Sequence, residues 1–207
     1  MSRSGGWWMV VMAVMALAPA VAVSARAAGS IVLPRPGQVG VGAQGGWGTL
    51  LKSGDLGGTF GNGPTLAFRL RYRMRYERAL GLSFEGERFE IRVPEARDPA
   101  DSLLSGRTHV NAILSGLEFY QLFGTRTRTT KMVMVGAGLV QISGRTLNNE
   151  TFFPGDGSYV SVGAGVERFL IRSWALDFST RYVALFLPDD RNHDLQVALG
   201  LIFYASY

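Results

Sequence analysis

The 207-residue sequence predicts an all-β fold: an eight-stranded antiparallel up-and-down barrel, preceded by a cleavable signal peptide. Three observations predict it. After Ala28 apolar residues recur at every second position, in segments of about ten residues, with no helical periodicity. Those segments are longer than globular strands, which centre on about five or six residues. The links between them alternate between long and short.

The first element is MSRSGGWWMVVMAVMALAPAVAVSARAAGS. Arg3 provides the positive start, Trp7 to Val23 an apolar run broken by Pro19, and Ala25-Arg26-Ala27 a small-x-small cleavage site before Ala28. The chain therefore divides into a signal peptide (1–27) and one barrel domain (28–207), with an uncleaved anchor helix as the alternative for the first segment. The chain has no cysteine, which excludes an acylated cysteine, a disulfide scaffold and thiolate metal sites. The formal charge is +5, yet Lys52 and Lys131 are the only lysines. Export and the scarcity of lysine argue against a nucleic-acid partner.

Eight strands follow, at 38–50, 65–77, 80–93, 108–122, 131–143, 158–169, 174–187 and 195–207. The links at 52–64, 94–107 and 144–157 are long, while those near Arg78, Gly124 and Arg172 are shorter; 188–194 closes the series. Long loops at one end, tight turns at the other and an even strand count are the layout of a bacterial outer-membrane barrel. Its tilted strands need about nine to eleven residues to cross the bilayer. Both chain ends then lie at the periplasmic, short-turn end.

A soluble exported barrel with its apolar face inward is the competing architecture. The partner faces decide against it. They read Gly40, Gly42, Gln44, Gly46, Gly48 in the first strand, Ser161, Gly163, Gly165 in the sixth and Gln196, Ala198, Gly200 in the last. A solvated face would carry Lys, Glu and Thr, whereas small residues inside a narrow barrel make room for large side chains from other strands.

The last strand, DLQVALGLIFYASY, sets Leu195, Val197, Leu199, Leu201, Phe203, Ala205 and Tyr207 on one face. Such a strand, ending in a C-terminal aromatic, resembles the assembly signal of outer-membrane β-barrel proteins. The mature chain as a whole is similar to the small eight-stranded barrels of the OmpA transmembrane domain and OmpX/Ail type. The resemblance is one of architecture. It implies recognition of Phe203 and Tyr207 by the outer-membrane assembly machinery and residence in the outer membrane.

The second strand contains FRLRYRMRYER, with Arg69, Arg71, Arg73 and Arg75 at alternate positions. One arginine at the lipid midplane costs about 2–4 kcal/mol, so these must face the lumen. With a turn centred near Arg78, Arg71 stands opposite Glu85 and Arg69 opposite Glu87, the favourable cross-strand case. Arg73 and Arg75 then face Gly81 and Ser83 and look across the lumen. The expected network sets Arg69, Arg71, Arg73, Arg75 and Arg181 against Glu85, Glu87, Glu118, Glu167 and Asp177, with signs balanced. The phase of Glu118 is ambiguous, since a bulge near Gly116 would turn it. An eight-stranded lumen is only just filled by side chains, so the network reads first as a plug and second as a narrow ion path.

Other motifs carry less. GVGAQG at 40–45 matches GxGxxG without a strand–turn–helix context. Asn149-Glu150-Thr151 is a bare sequon. Asp189, Asp190, Asn192 and Asp194 read as a solvated turn, since they lack an EF-hand spacing for Ca²⁺. His109 and His193 are the only histidines. His109-x-Asn111 faintly resembles outer-membrane lipid A deacylases, but Asn111 stands where their serine belongs. Ser115 lies roughly 20 Å along the strand. The aromatics Trp174, Tyr76, Phe123, Phe169 and Tyr207 at one end, and Trp47, Phe152, Phe153, Tyr159 and Phe186 at the other, read as interfacial girdles.

The sequence therefore predicts a non-enzymatic outer-membrane barrel without cofactor or metal, serving membrane integrity or surface interaction through its long loops. Expected partners are outer-membrane lipid and lipopolysaccharide, the assembly machinery and a surface ligand of unstated identity. A narrow channel, a lipid A-modifying enzyme and a soluble periplasmic barrel are the alternatives.

Overall fold

The computed structural model describes residues 33–90, 109–145, 151–171, 173–188 and 190–205. The signal segment with Ala25, Ala27 and Ala28, the loop 94–107, Asn149, Glu150, Asp189 and the terminal Tyr207 lie outside the described residues. The elements are β1 (Val39–Leu50), α1 (Gly54–Thr59), β2 (Asn62–Arg75), β3 (Arg78–Glu90), β4 (His109–Phe123), β5 (Thr129–Arg145), β6 (Thr151–Ile171), β7 (Trp174–Phe186) and β8 (Arg191–Tyr204). Each strand pairs antiparallel with the next, and β8 returns to β1, giving a closed eight-stranded barrel. Closure leaves no sheet edge unpaired.

Two connections differ from expectation. The link 52–64 contains the short helix α1. Much of 144–157 is a continuing hairpin, because β5 and β6 run to 17 and 21 residues, with a register shift between Ile142 and Gly144.

The outward face carries the large apolar side chains: Leu66, Phe68, Leu70 and Tyr72 on β2, Leu80, Leu82 and Phe84 on β3, and Leu195 to Phe203 at alternate positions on β8. Leu117 and Leu139, midway along β4 and β5, are 63% and 66% exposed. Polar side chains bound this belt on both sides. Arg88, His109, Gln141 and Arg191 stand toward the long loops, and Arg78, Gln121, Lys131 and Arg168 toward the short turns.

The inward face is small where neighbours are large. A side-chain carbon at Gly40 would meet the Tyr204 ring at 2.7 Å, and one at Gly163 would meet Arg181 Cγ at 3.2 Å. Gly40 and Gly163 are thus seats for Tyr204 and Arg181, the tight interdigitation that native packing density requires.

Candidate functional site

The β2–β3 hairpin turns through Tyr76-Glu77, because Arg75 already pairs with Arg78. That turn lies closer to β2 than the expected centre near Arg78 and corrects the pairing. Arg71 faces Gly81, Arg69 faces Ser83 and Arg73 faces Ala79, while Glu85 and Glu87 face Ala67 and Thr65. A register irregularity between Arg73 and Arg75 rotates Arg75 outward, where it is exposed. Arg75 therefore does not join the lumen group.

Arg69, Arg71, Arg73 and Arg181 are all buried inside the barrel with Glu85, Glu87, Glu118, Glu167 and Asp177. They meet across the lumen rather than along the hairpin. Nearer the short turns, Arg71 Nη2 donates to Asp177 Oδ2 at 2.9 Å and Arg71 Nη1 lies 3.3 Å from Glu167 Oε1. Arg73 Nη2 donates to Glu167 Oε2 at 2.6 Å, and the Tyr204 hydroxyl donates to Glu167 Oε1 at 2.6 Å. The Arg71 guanidinium lies 4.2 Å from the Tyr120 ring centre and that of Arg73 5.0 Å from Tyr204, both within cation–π range.

One level toward the long loops, Arg181 bridges Glu85 and Glu118, the latter at 2.6 Å, and donates to Gln196 Oε1 at 2.7 Å. The Tyr120 hydroxyl donates to Glu118, and Arg69 approaches Glu118 at 3.8 Å. Gln196 Nε2 donates to Glu87 Oε2 at 3.1 Å. Glu118 faces the lumen without a bulge, since β4 keeps continuous register with β3 and β5 through Gly116.

The signs do not balance. Among the described residues Asp194 is also buried inside, so the four arginines face six carboxylates. The surplus falls toward the long loops. A carbon at Gly48 would overlap Glu87 Oε1 and lie 3.3 Å from Asp194 Oδ1.

Toward the long loops the lumen is mostly apolar. Leu50, Phe89, Val110, Ala112, Leu114, Val140, Ile142, Tyr159, Val183 and Leu185 form one buried cluster, capped by Leu56 of α1 and Phe60 just after it. Glu87 and Asp194 reach into this part, opposite Ala112, Leu50 and Val183, and the rest of the expected charge plug fills the half nearer the short turns. Apolar contacts also line that half: Leu122, Met132 and Met134 pack with Tyr120, and Leu33 packs against Phe169, Ile202 and Tyr204.

The 188–194 segment is not the solvated turn the sequence predicts. Asn192 and Asp194 are buried, and the segment clamps α1. Leu56 N–H donates to Asp190 Oδ2 at 3.5 Å, and Gly57 N–H to Asn192 Oδ1 at 3.0 Å. These are two of the first-turn donors that a helix leaves unpaired, and Ser53 at the N-cap makes no side-chain bond. Gly54, with φ of +76°, lets the chain pass this clamp. A side-chain carbon there would lie 2.5 Å from Asp190 Oδ1. Asn192→Ala is expected to destabilise α1 by about 1–3 kcal/mol, read as faster amide exchange at 54–59 with the strands still protected.

His109 points outward at the end of β4, with Nδ1 3.0 Å from Arg88 Nη2, and Asn111 and Ser115 follow on the same face. His193 stacks on Tyr182, whose hydroxyl lies 2.6 Å from His193 Nδ1. Among the described residues no group of three or more His, Cys, Asp or Glu is placed to hold a metal ion. Of the expected girdles, Trp174, Tyr76 and Phe123 are exposed at the short-turn end, and Trp47 and Phe186 at the other. Phe169 and Tyr159 instead face inward as packing.

No family model matches the chain, and no curated protein matches it in sequence. Solved structures match its fold. Neisserial surface protein A is similar with a TM-score of 0.60 at 15% identity, over 80% of this chain and 96% of that one. The N-terminal β-barrel domain of Pseudomonas aeruginosa OprF is similar at 0.53 and 13% identity, covering 82% and 100%. Ail, the attachment invasion locus protein of Yersinia pestis, is similar at 0.52 and 14% identity, covering 81% and 99%. The fold of this chain is that of the small eight-stranded outer-membrane β-barrels.

Proposed function

We propose that the protein is a closed outer-membrane barrel that serves envelope integrity or surface interaction through its long loops, without enzymatic activity. The lumen carries this reading. It is filled by buried ion pairs toward the short turns and by mainly apolar side chains, with Glu87 and Asp194 among them, toward the long loops. An ion path needs a wetted route between charge rings, and the apolar cluster beneath α1 breaks that route. The outward belt of Leu, Phe and Val supports the membrane setting, because an exposed apolar surface of that extent belongs against lipid or a partner. In this setting the short turns are periplasmic. The loops beyond α1 then meet lipopolysaccharide and any surface ligand.

Three measurements test it together. Purified protein should fractionate with the outer membrane and migrate differently before and after boiling. It should give no conductance steps in a planar bilayer at any salt, and removing Arg73 and Arg75 charge should leave that unchanged. It should also leave every acyl chain on lipid A. A sample unaffected by boiling and absent from the outer membrane overturns the membrane reading, and resolved conductance steps overturn the closed lumen.

A further inference from the structure

The short-turn end carries a one-sided charge. Among the described residues, Arg35, Arg75, Arg78, Arg126, Arg128, Lys131 and Arg168 are exposed there, against a single exposed carboxylate, Glu77. None of the ion pairs among the described residues involves them, since those pairs all lie within the lumen.

Four of these cations gather on one side. Arg126 and Arg128 stand in the β4–β5 turn, and the carbonyl of Arg128 accepts from Phe169 N–H at 2.8 Å, which ties the turn to β6. Lys131 on β5 pairs with Val166 on β6, and Thr129 pairs with Arg168. Lys131 and Arg168 are thus diagonal neighbours on the outward face. The nearest acidic side chain in sequence, Glu167, points the other way and is consumed by Arg71, Arg73 and Tyr204.

Depth sets the partner. Above Lys131 the outward side chains of β5 are Val133 and Val135, and above Arg168 those of β6 are Val166 and Ala164. Phe123, half exposed, pairs directly with Lys131, and Leu170 and Trp174 flank Arg168. The cations therefore stand where the apolar belt ends and the aromatic residues anchor. That is the depth of lipid phosphates rather than of free solution.

We propose that Arg126, Arg128, Lys131 and Arg168 form a docking site for the headgroup of an anionic phospholipid in the leaflet on the short-turn side. The phosphate meets Lys131 and Arg168, with the turn arginines beside it, while the acyl chains run along Phe123 and Val166. This rests on the membrane reading above.

The test uses the protein folded into phosphatidylcholine vesicles containing trace spin-labelled phosphatidylglycerol or phosphatidylcholine. Any membrane barrel immobilises a fraction of both labels, so the absence of an immobilised fraction would refute the membrane reading itself. The docking site predicts about fivefold stronger association of the anionic label, the factor expected for one well-placed cation near a membrane surface. The preference should shrink in high salt. The variant Arg126→Gln/Arg128→Gln/Lys131→Gln/Arg168→Gln should bring it to unity while its boiled and unboiled bands stay distinct. Lys131→Arg should retain it. Equal association of both labels with the parent, or a preference that survives the fourfold variant, overturns the proposal. So does binding of isolated cell-wall sacculi that depends on the same four cations without any lipid preference.

Discussion

Arg181→Met is expected to cost about 3–5 kcal/mol of stability, the range for removing one partner from a buried ion pair. Arg181 bridges Glu85 and Glu118 in a site where all three side chains are nearly inaccessible, and it donates to Gln196 as well. Its loss leaves Glu85 without a cation and Glu118 with Arg69 alone, 3.8 Å away, in a lumen that already holds more acid than base. Urea unfolding of the vesicle-inserted protein, followed by the boiling-sensitive band, reads the change. The double variant Arg181→Met/Glu85→Gln should recover much of the loss, since Glu85 is then neutral and Glu118 keeps Arg69. A single variant as stable as the parent would show that the network contributes nothing to the barrel.

Leu117→Arg is the second large effect, expected at about 2–4 kcal/mol in a bilayer. Leu117 stands midway along β4, with Ile113 and Phe119 on the same outward face, and is 63% exposed. The substitution removes no internal contact of consequence, so in water it would change little. Unfolding from vesicles should therefore shift strongly, whereas Lys131→Arg, at the edge of the belt, should leave the midpoint unaltered. An equally neutral Leu117→Arg would place that face against water and remove the membrane setting.

The strands were legible because the belt makes one face uniformly apolar, so spacing-two alternation survives along most of the chain. In β2 and β8 the outward Leu, Phe and Val alternate with inward residues that include Arg69, Arg71, Arg73, Asp194 and Gln196, whose burial in lipid is costly. That contrast also placed Arg69, Arg71, Arg73, Arg181 and their carboxylate partners inside. It failed where both faces are apolar. TRYVALF in β7 turns Val183 and Leu185 inward and Tyr182 and Phe186 outward, and hydrophobicity does not distinguish them. The apolar half of the lumen was hidden for this reason.

Partner choice was less legible than phase. A hairpin pairing depends on where its turn closes, and Tyr76-Glu77 offers no Gly or Asn to mark it. Sequence spacing therefore misplaces the neighbours of Arg71 and Arg69 and turns Arg75 inward. Likewise Asp190, Asn192 and Asp194 looked like loop residues. Their role depends on α1, which is more than a hundred residues distant in the chain.

By itself, then, the amino-acid sequence determined the all-β class, the number of strands and the inward phase of most charges. Those properties follow from period-two alternation and the cost of a charge in lipid, both of which act residue by residue. Only the tertiary structure decided which carboxylate each arginine meets, that α1 caps the lumen, and that the interior is half apolar. Those outcomes depend on barrel closure and stagger, which bring β2 against β6 and β7 across a space only a few side chains wide.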